Sequence, residues 1–169
     1  GLPVLGVVPY LHVEIEDEDS LSERLNANRA VKPLDAAVIR LPHISNFTDF
    51  MPLEQHELLG VRYVQRAREL GRPDLVILPK NTMEDLLWLR QNGLEAAALK
   101  LAHAGTPILG VCGGYQMLGQ TLDDPQGTES GKPMALSGLG LLPTRTVFDA
   151  QKRRMQVRAA AQNCSAGQG

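Results

Sequence analysis

Cysteine is nearly absent from this 169-residue chain: Cys112 and Cys164 lie far apart and in unlike surroundings. No Cys-x-x-Cys pair and no Cys/His spacing suited to a metal occurs, which argues against both a disulfide framework and a metal site. A charge excess is lacking too, since 17 basic residues face 19 acidic ones, so there is no electrostatic footprint for nucleic acid or an anionic membrane. The one basic cluster, Lys152-Arg153-Arg154 with Arg158, reads as a solvated strand face. No apolar run approaches the roughly 20 residues of a membrane span, and Gly1-Leu2-Pro3-Val4 lacks the basic start of a secretory signal. A cytoplasmic location is the resulting expectation. A phosphate-binding Gly-x-x-x-x-Gly-Lys-Ser/Thr loop is also missing: Ser130-Gly131-Lys132-Pro133 has Gln126 at the first glycine position and Pro133 after the lysine.

What is present is enough apolar material, 43% of residues, for one sizeable core. Residues 2–9 read as a strand and its exit. The acidic, polar run 14–29 follows, with helical spacing at Leu21 and Leu25 but little other core material. From Asp35 onward, aliphatic strand candidates at 36–41, 61–64, 74–79 and 106–111 alternate with helical segments. Such runs suit strands covered on both faces, and their alternation predicts an α/β layered fold with a mostly parallel central sheet and flanking helices. The best helical stretch is 82–104, where Thr82 and Asp85 have near-capping-box spacing and Gly93 divides the segment. Trp88 within it reads as a core or interface anchor. After Gln120 the chain is Gly- and Pro-rich; residues 137–143 read as a turn and strand, 144–157 as one or two further strands, and 159–169 as an irregular tail.

Gly110-Val111-Cys112-Gly113-Gly114-Tyr115-Gln116 carries the chemistry. It places a cysteine between glycines at the junction of an apolar strand and a helix, the strand-turn-helix logic of a nucleophile elbow. Amides at the start of the helix would lower the thiol pKa and donate to an oxyanion. The bland alternative is a small buried hydrophobe, but it leaves three neighbouring glycines unexplained, each costing roughly 0.5–1 kcal/mol in a regular element.

Extended to Gly110-x-Cys112-x-Gly114-x-Gln116, the stretch resembles the nucleophile motif of class I glutamine amidotransferases, and in its longer form, through Gly119, that of the cobyric acid synthase family. Residues 39–50, 80–86 and 138–143 resemble that family in the same order. The resemblance implies a flavodoxin-like fold, Cys112 as nucleophile, the Gly113 N–H as oxyanion donor and Gln116 as a glutamine-positioning residue. It implies glutamine as ammonia donor and a corrinoid acceptor, an adenosylcobyrinic acid a,c-diamide-like carboxylate. ATP and magnesium would be used by an N-terminal nucleotide-binding domain and not by this segment. Residues 1–33 would then be the end of that domain plus a linker, and 34–169 the amidotransferase domain, truncated at its C-terminal end.

Two departures from the family bear on activity. Relatives carry a glycine and a Ser or Thr between the residues that stand here as Pro79-Lys80, and that glycine is expected to supply a second oxyanion amide. Their general base is a histidine downstream of the matched segments, whereas His12, His43, His56 and His103 all precede Cys112. The chain alone is therefore expected to be inactive. Three other readings stay open: an amidotransferase acting on another carboxylate, a noncatalytic binding module with the same fold, and an elbow-type hydrolase. The last leaves Gln116 unexplained and demands a downstream histidine.

Overall fold

The computed structural model describes residues 32–42, 47–79 and 83–151. Strands β1 (Leu34–Ile39), β2 (Leu59–Val64), β3 (Leu75–Leu78) and β4 (Ile108–Gly110) form a four-stranded sheet in the order β2-β1-β3-β4. All three pairings are parallel. These are the four strand candidates of the sequence, each trimmed or extended by one to three residues. Residues 36 to 39 are fully buried, which is why their sequence is apolar without alternation.

Alternate residues serve opposite faces. Ala37, Ile39, Val76 and Leu78 join Met83, Leu86, Leu89 and Leu94 in the larger core cluster. Those last four come from helices α3 (Met83–Gln91) and α4 (Leu94–His103). Ala36, Val38 and Ile77 pack on the other face with Val61 and Phe50. That face is served by a 3-10 turn (Phe47–Phe50) running into the short helix α1 (Met51–Glu54). Gly93 divides α3 from α4 with φ +71°, a left-handed value that favours glycine. Trp88 lies partly buried against the larger cluster, the expected core position.

Helix α2 (Ala67–Leu70) links β2 to β3. Its Glu69 carboxylate accepts from the N–H groups of Gln65 and Arg66 at 3.1 and 3.2 Å. The Gln65 bond is the largest influence on that carboxyl and, with Arg66 and Arg68 nearby, holds its pKa below the ordinary value against partial desolvation. Arg62 locks the turn from inside: Nε donates to Asp35 Oδ1 at 2.8 Å and Nη2 to the Leu70 carbonyl at 2.6 Å.

The Gly- and Pro-rich region departs from expectation. Residues 138–143 are irregular, and the strand lies just before them. Helix α5 (Gly113–Met117) leads into β5 (Thr121–Asp124), which pairs antiparallel with β6 (Met134–Ser137) and parallel with β7 (Arg145–Val147) in a separate small sheet. Leu122 and Leu139 join the larger cluster, so one core runs beneath both sheets. Residues 138–142 instead cap α5: the N–H groups of Leu139, Gly140 and Leu142 donate to the carbonyls of Met117, Gly119 and Leu118 at 2.8–2.9 Å. These are carbonyls that a helix end leaves without intrahelical partners. A Cβ on Gly138 would stand 2.2 Å from the Gly119 carbonyl oxygen, so the cap demands glycine.

Several sequence expectations fall outside the described residues: all but the last two residues of the proposed unit at 1–33, Thr82, His12, His43, the 152–158 basic cluster and Cys164.

Candidate active site

In a parallel sheet of this type, ligands bind beyond the carboxyl ends of the strands. Cys112 stands there, two residues past β4 and at the start of α5. Val111 N–H donates to the Leu78 carbonyl at 2.9 Å, the last rung tying the turn to β3. Gly114 N–H then donates to the Val111 carbonyl at 2.9 Å and Gln116 N–H to the Cys112 carbonyl at 3.3 Å, so the chain reverses into helix within three residues.

The reversal forces Cys112 to φ +54°, ψ −112°. It is the one non-glycine residue with positive φ among the described residues. Holding a side chain there costs on the order of 1–3 kcal/mol and persists only where surrounding structure enforces it. The flanking glycines show what enforces it. A Cβ on Gly110 would lie 2.5 Å from Tyr115 N, and one on Gly114 would lie 2.0 Å from Leu78 O and 2.9 Å from Pro79 O. Helix α5 is thus seated directly on the backbone of β3 and on its own strand, and only residues without side chains allow it. The Cys112 side chain is exposed, which contradicts the reading as a small buried hydrophobe.

The other sequence candidates converge on the same turn. Gly113 is buried, and its N–H donates to no acceptor among the described residues. Gln116 is half-buried on α5, and its N–H bond to the Cys112 carbonyl keeps it one turn along the chain from that residue. The Pro79-Lys80 juncture adjoins the turn through the Pro79 carbonyl, while residues 80–82 lie outside the described set.

The two described histidines are elsewhere. His56 precedes β2 and His103 closes α4 ahead of β4, so both belong to the amino ends of parallel strands, across the sheet from Cys112. His103 is exposed in the last helical turn, the surface-cap position expected of it. Among the described residues no group of three His, Cys, Asp or Glu side chains could hold a metal ion, and no helix is long and apolar enough to cross a membrane.

One polar anchor was missed in the sequence. Asp124, fully buried at the end of β5, accepts from Thr128 N–H and Oγ1 on one oxygen at 2.8 and 3.0 Å. Its other oxygen accepts from Glu129 N–H, Ser130 N–H and Ser130 Oγ at 2.9 Å each. Burial pushes this carboxyl upward, but the three N–H groups and the Ser130 hydroxyl outweigh it and hold the pKa well below the ordinary carboxylate range. The signal was an aspartate followed at four and six residues by Thr and Ser across Gly127, a loop-closing pattern. Glu129 contributes its backbone here, and its side chain is exposed.

Comparison with known proteins agrees with this geometry. The family model described as the CobB/CobQ-like glutamine amidotransferase domain matches residues 35–168. The chain is 55% identical over 158 residues to cobyric acid synthase of Ruminiclostridium cellulolyticum, covering 92% of this chain and 30% of that protein. It is 53% identical over 158 residues to cobyric acid synthase of Lachnoclostridium phytofermentans, with the same coverage. The chain thus spans about a third or less of the length of these curated relatives. Among solved structures, a glutamine amidotransferase superposes with a TM-score of 0.52 at 18% identity, covering 70% of this chain and 59% of that one. A protein described as peptidase E from Listeria monocytogenes gives 0.54 at 13% identity, covering 73% and 70%. Both likenesses are of fold alone. The parallel sheet, the glycine-seated turn at Cys112 and the match over residues 35–168 lead to one conclusion: this chain belongs to the CobB/CobQ-like glutamine amidotransferase family.

Proposed function

We propose that this chain is the glutaminase region of a cobyric acid synthase, in which Cys112 attacks the side-chain amide of glutamine. The thiolate sulfur forms a bond to the amide carbon, and the carbonyl electron pair moves onto oxygen, beside the Gly113 N–H, which donates to no acceptor among the described residues. Collapse restores the carbonyl and breaks the carbon–nitrogen bond. With a proton delivered to nitrogen, ammonia departs and a γ-glutamyl thioester remains. Water then cleaves the thioester to glutamate and regenerates the thiol. Gln116, whose N–H donates to the Cys112 carbonyl, positions the bound glutamine. The ammonia amidates a corrinoid carboxylate in an ATP- and magnesium-dependent step carried by the rest of the protein, in a cytoplasmic pathway of cobalamin synthesis.

The observation that carries this reading is the exposed Cys112 held at positive φ by glycines packed on Leu78 and Pro79. A purely scaffolding turn has no need of that strain. The test is alkylation by a glutamine-mimicking diazoketone near neutral pH, followed by peptide mass. Cys112 should react at least about a hundredfold faster than Cys164, and free glutamine should protect it, since the mimic is held beside the sulfur as glutamine would be. Equal, slow labelling of both would favour the noncatalytic binding module. In the full-length protein, Cys112→Ala should abolish glutamine-dependent amidation while leaving ammonia-dependent amidation intact.

A further inference from the structure

A groove of about 630 Å³ lies far from Cys112, between α2 and α4. Its floor is apolar, formed by Leu70, Ala97 and Leu101, and its rim carries Arg68, Arg72 and Lys100 with no carboxylate among the lining residues. All three cationic residues are exposed, and none makes a salt bridge among the described residues. The nearby carboxylates are engaged elsewhere: Glu69 accepts from Gln65 and Arg66, and Asp74 accepts from Asp35 N–H at 2.8 Å. Arg68 acts electrostatically on Glu69, but no carboxylate of the described residues forms an ion pair with Arg68, Arg72 or Lys100, and three such cations around an apolar floor call for an anionic, partly apolar occupant.

The chain supplies one. Residues 14–23 contain Glu14, Glu16, Asp17, Glu18, Asp19 and Glu23, interleaved with Ile15 and Leu21. The chain enters the domain at Lys32, whose ammonium donates to the carbonyls of Glu54 and His56 at 3.1 and 2.8 Å, ahead of β1. That is the amino end of the sheet. Asp74 N–H donates to the Asp35 carbonyl at 2.8 Å, which brings the start of β1 beside the loop that carries Arg72. Eight residues separate Glu23 from Lys32, and the nine steps between them span at most about 32 Å. We propose that the acidic run 14–23 docks into the groove between α2 and α4, its carboxylates on Arg68, Arg72 and Lys100 and its apolar residues on the floor. Each exposed ion pair is weak by itself, but a short tether raises the local concentration of the run into the millimolar range.

Zero-length carbodiimide coupling of the 169-residue chain tests this, because it joins Lys100 only to a carboxylate in direct contact. The expected product is an intramolecular link from Lys100 to an acidic residue within 14–23. Its yield should fall at least about fivefold in 1 M salt, where the screening length is about 3 Å, and in Arg68→Glu/Arg72→Glu. Combining those two changes with Glu16→Lys and Glu18→Lys should restore coupling between the new amines and the new carboxylates. The exposed arginine positions leave the thermal melt unchanged as a folding control. Absence of the link, or a link indifferent to salt and to the arginine changes, overturns the proposal. So does a link that forms only between isotopically distinct copies of the chain, which would make a second copy the occupant. Cys112 plays no part in this readout, so its outcome is independent of the glutaminase reading.

Discussion

Gly114→Ala is the most demanding test of how the turn is built. The added Cβ would stand 2.0 Å from Leu78 O and 2.7 Å from Leu78 C. Optimal separations between non-bonded carbons are about 3.5–4.0 Å, so α5 must lift off β3 by on the order of 1 Å or β3 must yield. Both partners are backbone, and neither can rotate aside. Overpacking of this kind costs about 1–3 kcal/mol, against which alanine recovers up to about 1 kcal/mol of helix propensity. The net expectation is about 1–2 kcal/mol of destabilisation in urea unfolding. The larger effect should fall on chemistry, because a displacement near 1 Å can cost on the order of a hundredfold in rate. Alkylation of Cys112 by the glutamine mimic measures it. Gly131→Ala is the control: Gly131 has φ +72° with nothing within 4 Å, so alanine there costs about 1–2 kcal/mol of backbone strain and leaves Cys112 reactivity untouched. If Gly114→Ala were as stable as the parent and alkylated at the parental rate, the claim that α5 is seated on the β3 backbone would fail.

Three further outcomes are expected. Cys112→Gly relieves a positive φ worth about 1–3 kcal/mol and adds about 0.5–1 kcal/mol of glycine entropy, so chemical denaturation should find it as stable as the parent or more so, with no glutamine-mimic adduct at this turn. Asp124→Asn exchanges an acceptor-only group for one with two donors facing five donors, and should lower the melting temperature and speed amide exchange at Thr128, Glu129 and Ser130. Because the native Asp124 carboxyl is held below its ordinary value of about 3.9, its stabilising contribution is complete above that pH and is lost as pH falls further; a parental melt that shows no excess acid sensitivity over Asp124→Asn would contradict this. Arg90 Nε donates to Glu95 Oε2 at 2.6 Å, and its Nη2 reaches Glu95 Oε1 and the Ser137 carbonyl. Arg90→Ala should therefore cost about 1.5–3 kcal/mol and loosen β6 in hydrogen exchange, whereas a change below about 0.5 kcal/mol would show that β6 is not tied to α3 and α4 through this residue.

The sequence by itself determined the four parallel strands, because strands buried on both faces need continuous aliphatic runs, and 36–39 and 75–78 have no other use for them. It also determined the turn at Cys112, since glycines two residues either side of a cysteine between strand and helix are costly anywhere except where backbone meets backbone. Gly93 likewise announced the break between α3 and α4. What only the tertiary structure decided is where long-range contacts override local pattern. Residues 138–143 look like strand material, yet their N–H groups are taken by the end of α5, a partnership invisible without the two segments side by side. Asp124 reads as one more loop carboxylate until five donors from residues 128–130 close around it. The groove between α2 and α4 depends on Arg68, Arg72 and Lys100, up to 32 positions apart, reaching one rim. Periodicity reports which face of an element is buried, but the partner across a gap is set by how the chain returns, and that information exists only in three dimensions.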